Sequence, residues 1–432
     1  MPAPDTFYTR SQADARRYPA LNGTAEGDCI IIGGGLAGLT AALHLSRAGK
    51  RVIVLEAESI GFGASGRNGG FVSAGWACGG AAIARRVGTI AAQELHRLSI
   101  EGAEMVRTEI AALAMPGVDP VPGKLRLRRH DNAADLQAEV TEAARLYDYP
   151  LTYLNRDALS EYLVTDRYFH ALLDTRAFHI HPLNYARGLA AEIARLGGRV
   201  YEESAATSHQ LTGATKTITT ARGRAEAPQV IFATGGYTGP LVGRLRRSML
   251  PIATYVMLSE EAPDLLATAI RTRFALSDNR RAGDYYRLVS DGRRLLWGGR
   301  ITTRAAAPGG IVRQLRREML GAYPQLAGLK TELAWSGLMA YARHLMPQIG
   351  ALSPGVWHAT GFGGHGLNTT AIGGRVVAEA VLGESDRIRQ FAPFGLVWAG
   401  GPVGLMAAQL ITPLEEMRGS KKSMLPSSTF SG

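Results

Sequence analysis

The chain has 432 residues, 46% of them hydrophobic and 20% charged, with a formal net charge of +11. That length exceeds one ordinary core, so two intertwined domains of a soluble globular enzyme are expected. Two cysteines, Cys29 and Cys78, exclude a disulfide framework and suit a reducing cytoplasm, the expected location.

The positive charge is almost all arginine, with only six lysines (Lys50, Lys124, Lys216, Lys330, Lys421 and Lys422). A solvated basic surface accounts for it; attraction of anionic substrates, nucleic acid or lipid headgroups is the sharper reading. No basic run with interleaved aromatics points to nucleic acid, and none is expected as a partner. Residues 1–27 carry no apolar core of signal-peptide type and read as an N-terminal arm. No run of about 18 strongly apolar residues occurs, so stable membrane insertion is not expected.

In chain order, the short apolar run Cys29–Ile32 reads as a buried parallel strand. Gly33, Gly35 and Gly38 follow in G-x-G-x-x-G spacing. Gly33 permits a tight turn, Gly35 lets the backbone approach a pyrophosphate, and Gly38 lets a helix pack close to the strand. A helix over 36–48, opening at Leu36 and Ala37 and capped by Gly49, aims its N-terminal amides at the diphosphate. Residues 51–55 form the next strand. Glu56, followed by Ala57, is placed to accept bonds from adenosine ribose hydroxyls. The motif alone serves NAD and FAD equally; its strand–turn–helix–strand–acid context is what makes dinucleotide binding the reading.

Further on, 89–113 reads as an amphipathic helix, 124–128 as a strand, 132–147 and 185–196 as helices, and 199–203 as a strand. The strand Gln229–Phe232 ends in Ala233-Thr234-Gly235-Gly236, whose glycines either bring the chain close to a cofactor or make a turn. Strands over 252–259, 285–289 and 295–298 suit a second sheet. A last strand over 358–360 opens onto Gly361-Phe362-Gly363-Gly364-His365-Gly366 and a helix from about Thr370 to Leu382. Such an N-terminus would stabilise the negative charge of a reduced flavin, the other reading being a structural turn. Residues 390–414 lack charge but are broken by Pro393, Gly395, Gly400, Gly401, Pro402 and Gly404; they read as a buried loop and short closing helix. Residues 419–432 read as a disordered tail. No metal site is expected.

These pieces (IIGGGLAGLTAALHL, VIVLEA, GASGRNGGF, ATGGYT, YYR, LLWGGR, WSGLMAYARHLMPQIG and GFGGHGLNTTAIGGRVVAE) resemble the D-amino-acid oxidase/glycine oxidase/sarcosine oxidase superfamily. Within it they are most similar to the gamma-glutamylputrescine oxidoreductase branch. The resemblance implies an α/β fold: a Rossmann-like FAD-binding domain intertwined with a second α+β substrate domain on a mixed or antiparallel sheet. The FAD-binding domain would take 28–85, 175–245 and 345–395. The substrate domain would take 86–174 and 246–344, with 396–418 a closing segment.

By the same resemblance, Gly63, Ala64, Ser65, Arg67, Asn68, Gly69 and Gly70 border the pyrophosphate and the flavin pyrimidine edge. Ala206 contacts adenine, Ala233, Thr234 and Gly235 line the cofactor, and Gly363, Gly364, His365, Gly366, Leu367, Asn368 and Thr369 cover the flavin O2 side. Several relatives bind flavin through a cysteine near the segment that here reads Gly337-Leu338-Met339-Ala340-Tyr341. No cysteine stands there, so noncovalent FAD is expected. Sarcosine-oxidase-like relatives use a lysine above the flavin to activate oxygen; residues 251–329 contain none, though Arg287 or Arg300 could substitute.

The expected reaction is hydride transfer from a small amine or amino acid to flavin N5, hydrolysis of the imine, and reoxidation by O2. Tyr255, Tyr285, Tyr286, Arg287, Met339 and Tyr341 are candidates for the amine pocket. Arg287 either pairs with a substrate carboxylate or is a strand-edge arginine. His365 is either catalytic or orients the backbone at the flavin edge. An FAD dehydrogenase serving a quinone or protein acceptor is the alternative, and a flavoprotein acting on modified tRNA the second. Oligomeric state is not legible.

Overall fold

The computed structural model describes residues 4–280, 283–303 and 308–407. Of these, 4–122, 177–253 and 335–399 form one compact unit, and the described residues within 123–176, 254–334 and 400–407 form the second.

The first unit is built on a six-stranded sheet in the order Gln348–Ser353, Val356–Thr360, Gln229–Phe232, Cys29–Ile32, Val52–Leu55, Arg199–Tyr201. All its pairs are parallel except the first, which is antiparallel. The central strands CIII and VIVL are buried throughout, as a parallel sheet covered on both faces requires. Alternation along each strand divides the side chains between two cores. Cys29, Ile31, Val52 and Val54 pack against helices Leu36–Arg47, Thr89–Ala112 and Gly366–Leu382. Ile30, Ile32, Ile53 and Leu55 pack against a four-stranded sheet of Gly23–Glu26, Gly223–Ala227, Lys216–Thr219 and Ser208–Gln210.

The helical layer closes through missing side chains. A Cβ on Gly374 would lie 2.5 Å from the Ala37 carbonyl, and one on Gly102 would collide with the Asn368 carbonyl. Glycine at both crossings lets Gly366–Leu382 lie close against its two neighbours.

In the second unit, Tyr285–Val289 pairs antiparallel with Arg294–Thr302 and with Ala275–Asp278, which in turn runs parallel to Val121–Arg128. The sheet is mixed, as expected. Its aromatic core is Tyr168, Tyr286, Trp297 and Tyr323. Asp278 and Asp284 are buried beside it, paired with Arg129 at 2.5 and 3.0 Å, and Arg280 reaches Glu318 at 2.9 Å.

Several expectations shift. Residues 86–122, assigned from sequence to the substrate domain, lie in the first unit, because Thr89–Ala112 buries Leu95, Leu98, Val106 and Ile110 in the helical core. Helix Pro182–Arg195 starts three residues before 185, where Pro182 takes the first helical position and His181 Nδ1 accepts from Asn184 N. Helix Gly366–Leu382 begins four residues before Thr370. The stretch from 390 is not a buried loop. Phe391 and Phe394 are buried in the 3-10 helix Arg387–Phe394, but Trp398, Val403 and Met406 are 61%, 69% and 67% exposed. Residues 401–407 are helical; the rest of the closing segment and the tail lie outside the described residues. Among the described residues no helix is long and apolar enough to cross a membrane, and no cluster of metal-ligating side chains occurs.

Candidate active site

The first unit assembles a cradle from four glycine-rich turns. After strand Cys29–Ile32, Gly33 turns at φ +114° and donates to the Leu55 carbonyl at 2.9 Å. A Cβ on Gly38 would collide with the Gly33 carbonyl, and one on Gly35 would lie 2.9 Å from Ser65 Oγ. Gly35 is the N-cap of Leu36–Arg47 and has no side chain to satisfy the first-turn amides. Leu36 N instead donates to Ser65 Oγ at 3.0 Å, and Ala37 follows, buried. Glu56 closes this end. Its carboxylate accepts from Gly34 N at 2.7 Å and Glu58 N at 3.0 Å. Burial pushes the Glu56 carboxyl above its usual range, and the amides of Glu58, Gly34 and Ala57 offset part of that. Ser204 N donates to the Glu56 carbonyl, which brings the chain to Ala206 beside the acid's strand.

The second turn is Gly63 to Gly70, wound around Asn68. Asn68 Nδ2 donates to the carbonyls of Ala64 and Ser65, and its Oδ1 accepts from Gly70 N at 2.7 Å. Gly69 passes into Gly70 at φ +80°. The Arg67 guanidinium lies 4.6 Å over the Phe62 ring and donates to the carbonyls of Ser336 and Phe62. Burial lowers its pKa. The third turn, Ala233-Thr234-Gly235, runs against the first: a Cβ on Gly33 would sit 2.6 Å from the Ala233 carbonyl.

The fourth turn carries the densest set of predicted residues. Gly361 and Gly363 adopt φ +72° and +62°, and Gly363 N donates to the Ala340 carbonyl at 2.8 Å. A Cβ on Gly364 would lie 2.6 Å from the Tyr341 hydroxyl and 3.8 Å from Met339 Sδ. Met339 and Tyr341 therefore flank this loop. His365 is the N-cap of Gly366–Leu382 but makes no capping bond with its side chain. Its Nε2 lies 3.0 Å from the Ser73 carbonyl, a backbone-orienting bond. Leu367 and Thr369 are buried; the Thr369 hydroxyl donates to the His365 carbonyl. Asn368 Nδ2 donates to the carbonyls of Gly75 and Ser99. A Cβ on Gly366 would meet nothing within 4 Å, and no side chain caps the first turn of this helix.

The other predicted residues belong to the second unit. Tyr285 and Arg287 project from one face of their strand and Tyr286 from the opposite face. Tyr286 is fully buried, stacked on Trp297 with ring centroids 4.0 Å apart, and hydrogen-bonded to Tyr323 at 2.8 Å. This residue, a candidate for the amine pocket, sits in the aromatic core of the second unit. Burial raises its phenol well above the usual value. Tyr255 is buried with its hydroxyl 2.8 Å from Thr302 Oγ1, and Arg287 is buried.

Sequence reasoning missed several supports. Trp335 Nε1 donates to the Arg67 carbonyl at 3.0 Å, and Tyr8 of the arm donates to the Asn68 carbonyl at 2.6 Å. Ser73 and Ser99 hold His365 and Asn368. Only Trp335 carried a signal, in the WSGLMAY run; the rest are paired across long stretches of chain.

A family model described as FAD dependent oxidoreductase (DAO) matches residues 28–380. The chain is 36% identical over 390 residues to gamma-glutamylputrescine oxidoreductase of Escherichia coli (strain K12), covering 90% of this chain and 91% of that protein. It is 26% identical over 222 residues to glycine oxidase of Bacillus licheniformis, covering 50% and 55% of the two chains. In fold it is similar to the crystal structure of glycine oxidase from Geobacillus kaustophilus, with a TM-score of 0.72 at 21% identity over 86% of this chain and 99% of that one.

Proposed function

The chain belongs to the DAO family of FAD-dependent oxidoreductases, and from that premise we propose that it oxidises a primary or secondary amine, of gamma-glutamyl-amine or sarcosine/glycine type, with O2 as the final acceptor. The residues present fit noncovalent FAD. The turn at Gly33, Gly35 and Gly38 has no Cβ to keep a pyrophosphate from the N-terminus of Leu36–Arg47, Glu56 offers a ribose acceptor, and both described cysteines, Cys29 and Cys78, are buried. When bound, FAD supplies the hydride acceptor and the route for electrons to oxygen.

The chain's residues supply binding, orientation and electrostatics. The uncapped N-terminus at Gly366 places the positive end of a 17-residue helix at the cradle, where it stabilises negative charge. His365, held by Ser73, and Asn368, held by Gly75 and Ser99, fix the direction of those amides. Met339 and Tyr341 border the same opening. Arg287 is the candidate for a substrate carboxylate. The amine reacts neutral; loss of hydride from its α-carbon leaves an iminium, which water hydrolyses to a carbonyl compound and an amine or ammonia. The observation that carries this reading is the glycine loop at Gly363–Gly366, which opens onto the uncapped N-terminus of Gly366–Leu382 and has Met339 and Tyr341 beside Gly364.

The second reading, a dehydrogenase passing electrons to a quinone or protein, is favoured by the absence of lysine from 251–329. One experiment tests both: anaerobic bleaching of the flavin band near about 450 nm against sarcosine, glycine, D-alanine, pipecolate, putrescine and gamma-glutamylputrescine, followed by air. Bleaching by one amine with fast recolouring in air is the expected result. Slow recolouring gives the dehydrogenase, and a flavoprotein that no amine bleaches overturns the proposal.

A further inference from the structure

The first unit holds a cavity of about 210 Å³ that the amine chemistry does not use. Its wall is made by the N-terminal arm (Thr6, Thr9, Gln12 and Arg17), the turn around Arg67, and Arg187 on helix Pro182–Arg195. None of Gly33 to Gly38, Glu56 or Gly363 to Thr369 lines it; Gly66 and Arg67 of the second turn are the residues it shares with the cradle.

Its chemistry is one-sided. Three arginines face it, and no aspartate or glutamate is among its lining residues. Arg187 is 6% exposed. Its Nη2 donates to the Arg16 carbonyl, while its Nε–H is buried without an acceptor, as is the Nε–H of Arg67. Burying a guanidinium without a counter-charge is costly, and the usual remedy is a paired anion. The guanidinium fork matches the oxygens of carboxylate and phosphate. Hydroxyl and amide groups of Thr6, Thr9 and Gln12 add further polar contacts.

We propose that this cavity is a binding site for a small multivalent oxyanion, a phosphate or a dicarboxylate, held between the arm and the Arg67 turn. Its occupant neutralises the arginine cluster and fastens the arm, whose Tyr8 already bonds the Asn68 carbonyl. Asn68 shapes the turn that borders the cradle, so occupancy also stiffens that turn.

The test is isothermal titration calorimetry of the flavin-loaded protein, in which bound FAD already occupies the dinucleotide cradle. Phosphate and succinate are titrated at constant ionic strength, with chloride as the control, and melting temperature is followed in parallel. Saturable binding of either anion, with a rise in melting temperature that chloride does not reproduce, is expected. Tighter phosphate assigns a phosphate site and tighter succinate a carboxylate site. Arg17→Gln, at an exposed position, and Arg187→Gln should each weaken the anion about tenfold or more. Should Arg187→Gln fail to fold, Arg17→Gln carries the comparison alone. A response equal to that of chloride, or an unchanged affinity in Arg17→Gln, overturns the proposal, and neither result bears on amine oxidation.

Discussion

Gly374→Ala tests whether the helical layer positions the cradle. The added Cβ would lie 2.5 Å from the Ala37 carbonyl, 2.8 Å from Thr40 Cβ and 3.0 Å from Ala41 N, whereas ordinary contact begins at 3.4 Å. The obstructing atoms are backbone and a Cβ, so no flexible side chain can move aside. Gly366–Leu382 and Leu36–Arg47 must part by about 1 Å, an overpacking of about 1–3 kcal/mol. Replacing a mid-helix glycine by alanine returns about 1 kcal/mol of helix propensity. The backbone clash puts the overpacking near its upper end, leaving a net loss of about 1–2 kcal/mol. Leu36–Arg47 begins at the dinucleotide turn, so its displacement should also weaken FAD retention, by about tenfold for 1.4 kcal/mol. Urea denaturation of the apoprotein and flavin fluorescence on dilution of the holoprotein measure the two effects. Gly366→Ala is the contrast: its Cβ meets nothing, so apoprotein stability should hold while FAD retention falls. A Gly374→Ala protein as stable as the parent would refute the packing argument.

His358 is 4% exposed with Nδ1 3.1 Å from the Gln348 carbonyl, and burial pushes its pKa down to about 4. The unfolded chain therefore takes up a proton first as pH falls. This contribution is complete above about 6.5 and is lost progressively towards pH 4. Stability of His358→Gln, followed by urea midpoints from pH 7.5 to 4.5, should be correspondingly less pH-dependent than the parent. Tyr286→Phe removes a buried hydroxyl bonded to Tyr323 and should cost about 1–2 kcal/mol. Because its ring lies in the aromatic core, KM for the amine should stay within about twofold; a large rise would return Tyr286 to the pocket. Arg287→Lys loses the bidentate fork, so steady-state kinetics should show KM rising for carboxylate-bearing amines and not for putrescine. Equal effects on both would remove Arg287 from substrate recognition.

The sequence by itself determined the dinucleotide turn, the central strands and the family. Those signals are local: four apolar residues, glycines at fixed spacing and an acid at the end of the next strand fix geometry within one βαβ unit. It also singled out Met339, Tyr341 and the Gly363–Gly366 loop through contiguous motifs, and the structure brings these together at Gly364. Tertiary structure decided what depends on register and on pairs far apart in the chain. Alternation along Tyr285–Val289 sends Tyr286 into an aromatic core whose other members, Tyr168, Trp297 and Tyr323, come from distant segments. Helix Thr89–Ala112 joined the first unit because Gly102 lets it approach Asn368, a contact no periodicity reveals. Arg17 and Arg187 were two among many arginines, and Arg67 was read only as a border of the cofactor, until folding placed all three around one cavity. Local propensity is written residue by residue, whereas a buried charge acquires its meaning only from the neighbours that folding brings to it.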